Sequence, residues 1–148
     1  MTNNRSVCPI CSQTAFSFRG PEKSPFLILA EAPTTDDHVK CLALSGGAGW
    51  ILRNELDRQN CDMASYRLGF IYWHEMKGEK ESDGCRVASI ENAIREAYGR
   101  RAIMLLGAKT IKYFCNIGID TVSSLQVRSQ YLKCESIIAC PNPTVALS

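Results

Sequence analysis

The chain has 148 residues, 45% of them hydrophobic and 22% charged, with a formal net charge of +2. That is ordinary soluble-protein composition, which excludes a disordered, fibrous or strongly basic nucleic-acid-coating chain. A chain of this length buries roughly 70% of its unfolded surface, so the eight cysteines are not needed as a disulfide framework.

The expected organisation is one domain over residues 1–148. Its first segment, about residues 1–24, is polar and contains Cys8-Pro-Ile-Cys11, followed by Gly20-Pro21 and Pro25. We read it as a metal-type knuckle and an extended lead-in. Phe26-Leu-Ile-Leu-Ala-Glu31 is a continuous apolar run ending in a carboxylate, so a buried strand is expected over 26–31. A long loop over 32–47 contains Asp36-Asp37 and leads to the glycine-rich turn Gly46-Gly-Ala-Gly49. A helix is expected at about 48–59, with Ile51, Leu52 and Leu56 on one face.

Residues 66–73 read as a second strand, and 74–84 as a loop. Ile90, Ala93, Ile94, Ala97 and Tyr98 stand at i, i+3, i+4, i+7 and i+8, which predicts an amphipathic helix over 86–98 stopped by Gly99. Ala102-Ile-Met-Leu-Leu106 is a third strand, followed after Gly107 by a helix at 108–116 with Ile111, Phe114 and Cys115 inward and Gly118 as its stop. Ser136-Ile-Ile-Ala-Cys140 is a fourth, ended by Pro141 and Pro143. Alternating strands and helices imply right-handed crossovers, a mostly parallel four-stranded sheet and helices on both faces: a three-layer αβα fold of the α/β class. Ligands of such sheets gather at the carboxyl ends of the strands, here Glu31, Trp73-His74, Gly107 and Pro141-Asn142.

Taken in order, these strand ends resemble the uracil-DNA glycosylase superfamily, in particular its small iron–sulfur branch. Ala30-Glu-Ala-Pro-Thr34 is similar to the branch's Gly-Glu-Ala-Pro-Gly motif. Asp36-Asp37 stands where it has an acidic pair. Gly46-Gly-Ala-Gly49 with Ile51-Leu52 is similar to its glycine-rich helix start, and Leu105-Leu-Gly-Ala108 to its Leu-Gly turn. Pro141-Asn-Pro-Thr144 resembles the Pro-Asn-Pro-Ser loop of the mismatch-specific branch.

The resemblance implies a DNA-binding hydrolase of N-glycosidic bonds that flips a base into a pocket. Glu31 would be the carboxylate that orients water or faces the sugar's developing positive charge, and Asn142 would assist the departing base. Ala32, Pro33, Thr34, Leu44, Gly46, Phe70, Pro143 and Thr144 would surround base and DNA. Leu44 replaces the family's stacking aromatic, and its uracil-reading asparagine falls near Gly69-Phe70, so altered base specificity is implied. The alternative is a catalytically degenerate DNA-binding or replication-accessory protein of the same fold.

Cys8 and Cys11 need two more donors, and the resemblance points to His74 and Cys85 bracketing the loop after the second strand. The family implies a [4Fe–4S] cluster; zinc is the alternative. DNA is the expected partner, with a monomer able to associate with repair or replication proteins. No apolar run approaches the ~20 residues needed to span a bilayer. The N-terminus lacks a secretory apolar segment, so an intracellular location is expected. Beside these readings stand plainer ones: Glu31 as an ion-pair partner, Asp36 and Asp37 as solvated loop residues, Asn142 as a turn former. Arg100, Arg101, Lys109, Lys112 and Arg128 read either as phosphate contacts or as an ordinary wet surface.

Overall fold

The computed structural model of the chain describes residues 5–33, 37, 54, 58, 65–74, 83–107, 110, 111, 114, 125–127 and 132–140. Two short strands, β1 (Arg5–Val7) and β2 (Thr14–Phe16), form an antiparallel hairpin around the Cys8–Cys11 knuckle. The main sheet contains β3 (Phe26–Ala30), β4 (Arg67–Phe70), β5 (Ala102–Leu106), β6 (Leu125–Val127) and β7 (Ser136–Cys140), with helix α1 (Asp83–Ala97) before β5.

The strand order is β4-β3-β5-β7-β6. The first four run parallel, in the registers Ile28↔Leu68, Leu27↔Ile103 and Ile103↔Ile137. The four strands expected from apolar runs are therefore present and parallel, in an α/β arrangement. A fifth, β6, pairs antiparallel with β7 at the edge. Three residues carry too little periodicity to announce it, and the expected four-stranded sheet is corrected to five. The second strand is also shorter than expected: regular pairing stops at Phe70, and 71–74 bend away.

Alternation along the central strands divides the core. Leu27, Leu29, Ile103, Leu105 and Ile137 pack on one face with Ala93 and Ala97 of α1, together with the buried, helical Ile111 and Phe114. Ile28, Ala30, Leu68, Phe70 and Leu106 form the other face, onto which the hairpin inserts Phe16. Phe16 is 1% exposed and meets Phe70 edge-on at 6.0 Å between ring centres. Burying such a ring stabilises the fold by about 2–3 kcal/mol, and the edge contact adds about 1 kcal/mol. The second helical layer was expected from residues 48–59. Of these only Asn54 and Arg58 are described, both helical and exposed.

Gly69 is fixed by contact. A Cβ there would come within 2.4 Å of the Phe18 ring, which lies flat over β4 on the α1 side. Tyr98 does not join the inner helix face as its spacing predicts. Gly99 takes φ 76, a left-handed stop, so the helix closes at Ala97 and leaves Tyr98 76% exposed.

The lead-in covers the open edge of β4. Arg19 and Leu68 exchange both backbone hydrogen bonds at 2.9 Å. An ion network locks this edge to α1. Arg67 donates from Nε and Nη2 to the Glu96 carboxylate at 3.0 and 2.9 Å, and Arg100 Nη2 donates to the same carboxylate at 3.0 Å. Arg100 Nη1 also donates to the Ser24 carbonyl at 2.6 Å. Arg100 is thus a buried internal tie, which corrects both of its readings, as a phosphate contact and as wet surface. Glu96→Ala leaves two largely buried guanidinium groups without their shared anion. The expected cost is about 3 kcal/mol, read as a lower denaturant midpoint with an unchanged slope.

Candidate functional site

The knuckle is built by local backbone chemistry. Cys8 N–H donates to Gln13 O at 2.8 Å, and Ser12 N–H to Cys8 O at 3.0 Å. Ser12 takes the left-handed φ of 66 that closes the turn. Both sulfurs therefore leave the same tight loop. Phe16 N–H donates to Trp73 O at 2.8 Å, docking the hairpin beside the end of β4. The bend at 71–74 then delivers His74, and the first turn of α1 delivers Cys85.

Cys8, Cys11, His74 and Cys85 meet as the sequence expected, with their donor atoms all within 4.8 Å of one another. Cys8 and Cys85 sulfurs are 3.7 Å apart, and Cys11 Sγ lies 3.3 Å from His74 Nε2. Cys8, His74 and Cys85 are buried, and Cys11 is half-buried. This group could hold a metal ion. Cys8, Cys11, Cys85 and Cys134 are free thiols.

The electrostatics of the metal-free group are asymmetric. Burial alone would raise the Cys8 thiol, but backbone amides of Cys11 and Ile10 and hydrogen bonds from His74 and Cys11 outweigh it, lowering Cys8 to about 6. Burial, the neighbouring sulfurs of Cys11 and Cys8 and their negative charge push Cys85 up to about 12. At neutral pH one thiolate is thus preformed, and Cys85 keeps its proton until an ion displaces it. Loading a divalent ion at pH 7.5 should release at least one proton per ion. Titration calorimetry in buffers of different ionisation heat measures this. Affinity should fall at least tenfold per pH unit on acidification, and more steeply once Cys8 also takes up a proton below about pH 6.

A second region lies at the carboxyl ends of the strands. From β3 the chain crosses to β4 on one side; β5 lies on the other side of β3, and β7 beyond it. The connections reverse direction between β3 and β5, which is where parallel sheets open a ligand crevice. Glu31 follows β3 there, and Gly107 follows β5. Glu31 and Ala32 are half-buried and Pro33 is buried. Thr110, 1% exposed and helical, carries a buried hydroxyl without a hydrogen-bond partner among the described residues. Its oxygen is 3.9 Å from where a side chain on Gly107 would begin. Sequence reading missed Thr110, because a lone threonine on a helix start gives no signal.

The other expected site residues fare differently. Phe70 is 2% exposed and committed to Phe16, so it is a core residue where a base-facing one was expected. Asp37, read as loop solvation, is instead helical and 1% exposed. Thr34, Leu44, Gly46, Asn142, Pro143 and Thr144 lie outside the described residues, as do Asp36, Lys109, Lys112 and Arg128. No described helix is long and apolar enough to cross a membrane. Comparison with protein-family models and with curated proteins finds no match.

Proposed function

We propose that the chain is a DNA-binding, uracil-DNA glycosylase-like repair protein that takes a flipped, uracil-like or modified base into the β3–β5 crevice and hydrolyses its N-glycosidic bond. The observation that carries this reading is the position of Glu31, which leaves β3 at the point where the sheet's connections reverse. The buried Thr110 hydroxyl beside Gly107, without a hydrogen-bond partner among the described residues, adds support, since a polar ligand edge would satisfy it. The ordered motifs from Ala30-Glu-Ala-Pro-Thr34 to Pro141-Asn-Pro-Thr144 supply the rest of the argument.

In this reading Glu31 orients the attacking water or stabilises positive charge developing on the sugar. Backbone amides around Ala32–Thr34 face the base, and Asn142 donates to the departing base. The Cys/His group fastens the N-terminal knuckle to the catalytic body and takes no part in bond cleavage.

The test is abasic-site formation on single strands and duplexes carrying uracil, mismatched thymine, hypoxanthine or modified pyrimidines. Glu31→Ala should lower excision by about a hundredfold or more, while salt-sensitive DNA binding persists. If folded protein excises none of these bases yet binds DNA, the hydrolase is overturned in favour of a degenerate DNA-binding member. Absence of DNA binding at low salt overturns both.

A further inference from the structure

The resemblance carries a [4Fe–4S] cluster with it, and the donor geometry disagrees. A four-iron cube sets a separate iron under each ligand and spreads its four donors to roughly 6 Å from one another. Here every pair of donor atoms lies within 4.8 Å. A two-iron cluster fails likewise, because its donors fall in two pairs on separate irons.

A single tetrahedral ion has different dimensions. With metal–sulfur bonds near 2.3 Å and metal–nitrogen bonds near 2.0–2.1 Å, two sulfurs should stand about 3.8 Å apart and a sulfur and a nitrogen about 3.5 Å apart. The Cys8–Cys85 separation is 3.7 Å, and the Cys11–His74 separation is 3.3 Å. Three thiolates and an imidazole are a donor set for a borderline-soft ion of tetrahedral habit.

We infer that Cys8, Cys11, His74 and Cys85 bind one zinc ion, and that this chain carries no iron–sulfur cluster. All four positions are filled by protein, so the ion has no open coordination site for water or substrate and is a structural clasp. It joins three chain segments: the hairpin through Cys8 and Cys11, the end of β4 through His74, and the start of α1 through Cys85. The linked residues are 63 positions apart at Cys11–His74 and 77 at Cys8–Cys85. Among the described residues the hairpin and its lead-in are also held by the Phe16–Phe70 contact, the Phe16 N–H bond to Trp73 O and the Arg19–Leu68 bridge.

Metal analysis and a visible spectrum of the full chain, purified without added metal and under exclusion of oxygen, test the inference. The expected result is one zinc per chain, a colourless protein and no acid-labile sulfide. Replacement by cobalt should give the intense visible bands of a tetrahedral thiolate site. Iron in any form, a brown protein, or no bound metal would overturn it. Cys11→Ser should lower zinc affinity at least tenfold, whereas Cys134→Ser, at a half-buried thiol outside the group, should leave zinc content at one. Hydrogen exchange gives a readout independent of any variant. Chelation should deprotect the amides of Phe16, Arg19 and Leu68 while the central-strand amides of Leu29 and Leu105 stay protected. Equal protection with and without metal would overturn the clasp. The inference rests on donor geometry alone, so it stands or falls separately from base excision.

Discussion

Three thiols and an imidazole gathered in one buried spot are a difficult arrangement for a protein without a cation. Each thiolate formed there makes the next harder to form, because charge in a low-dielectric site has no water to spread into. The opposite displacements of Cys8 and Cys85 express that conflict: one sulfur is supplied with backbone amides and ionises early, and the other is pinned in its neutral form. The hairpin's turn, the bend after β4 and the first turn of α1 all lead to this group. Hydrophobic contact alone would not dictate that meeting, since Cys8, Ala15 and Cys85 make only a small buried cluster with Cys11 and Trp73 against it.

The parallel sheet imposes the second constraint. Its central strands are apolar on both faces, because helical residues cover one side and Phe16 reaches the other. Polar function is thereby expelled to the strand ends. At the amino ends, Arg100 and Glu96 are consumed in holding Arg67 and the Ser24 carbonyl. At the carboxyl ends of β3 and β5 the groups are of another kind: the half-buried Glu31, a buried proline and a buried hydroxyl without a partner among the described residues. The two ends of one sheet thus carry different chemistry: an ion network at one, a carboxylate and a hydroxyl at the other.

How much of this was legible in the sequence follows from the physics of each element. Phe26–Ala30, Ala102–Leu106 and Ser136–Cys140 are continuous apolar runs between turn residues, and each lies within the bounds read from the sequence. The strands of the hairpin and β6 have three residues each, too few to show a period. Residues 71–74 stay apolar and aromatic after the strand has ended, so sequence reading ran the strand on; burial continues there while the direction changes. Cys-x-x-Cys spacing marked half of the metal group, because two sulfurs on one turn are a local feature. Its other half, His74 and Cys85, depends on a tertiary meeting that spacing cannot express and that resemblance alone suggested. Asp37 and Arg100 were misread for the same reason: a charged residue's burial is decided by partners distant in the chain.

Residues 71–74 connect the two regions. Ile71 N–H donates to Ala30 O at 2.9 Å, and Tyr72 N–H to Glu31 O at 3.0 Å, so the first two are laid against the strand end that carries the carboxylate. Trp73 accepts from Phe16, its own N–H donates to Ser89 Oγ at 3.4 Å, and His74 enters the Cys/His group. Four consecutive residues therefore run from the carboxyl end of β3 to the Cys/His group. The backbone of Glu31 is thus hydrogen-bonded two residues from His74, a donor of the Cys/His group. A cation at Cys8, Cys11, His74 and Cys85 would fix the angle at which β4 leaves the sheet. In doing so it would also hold the carboxyl end of β3, against which Ile71 and Tyr72 are hydrogen-bonded. This is the physical sense in which a structural ion, closed to substrate, can be required by a site it does not enter.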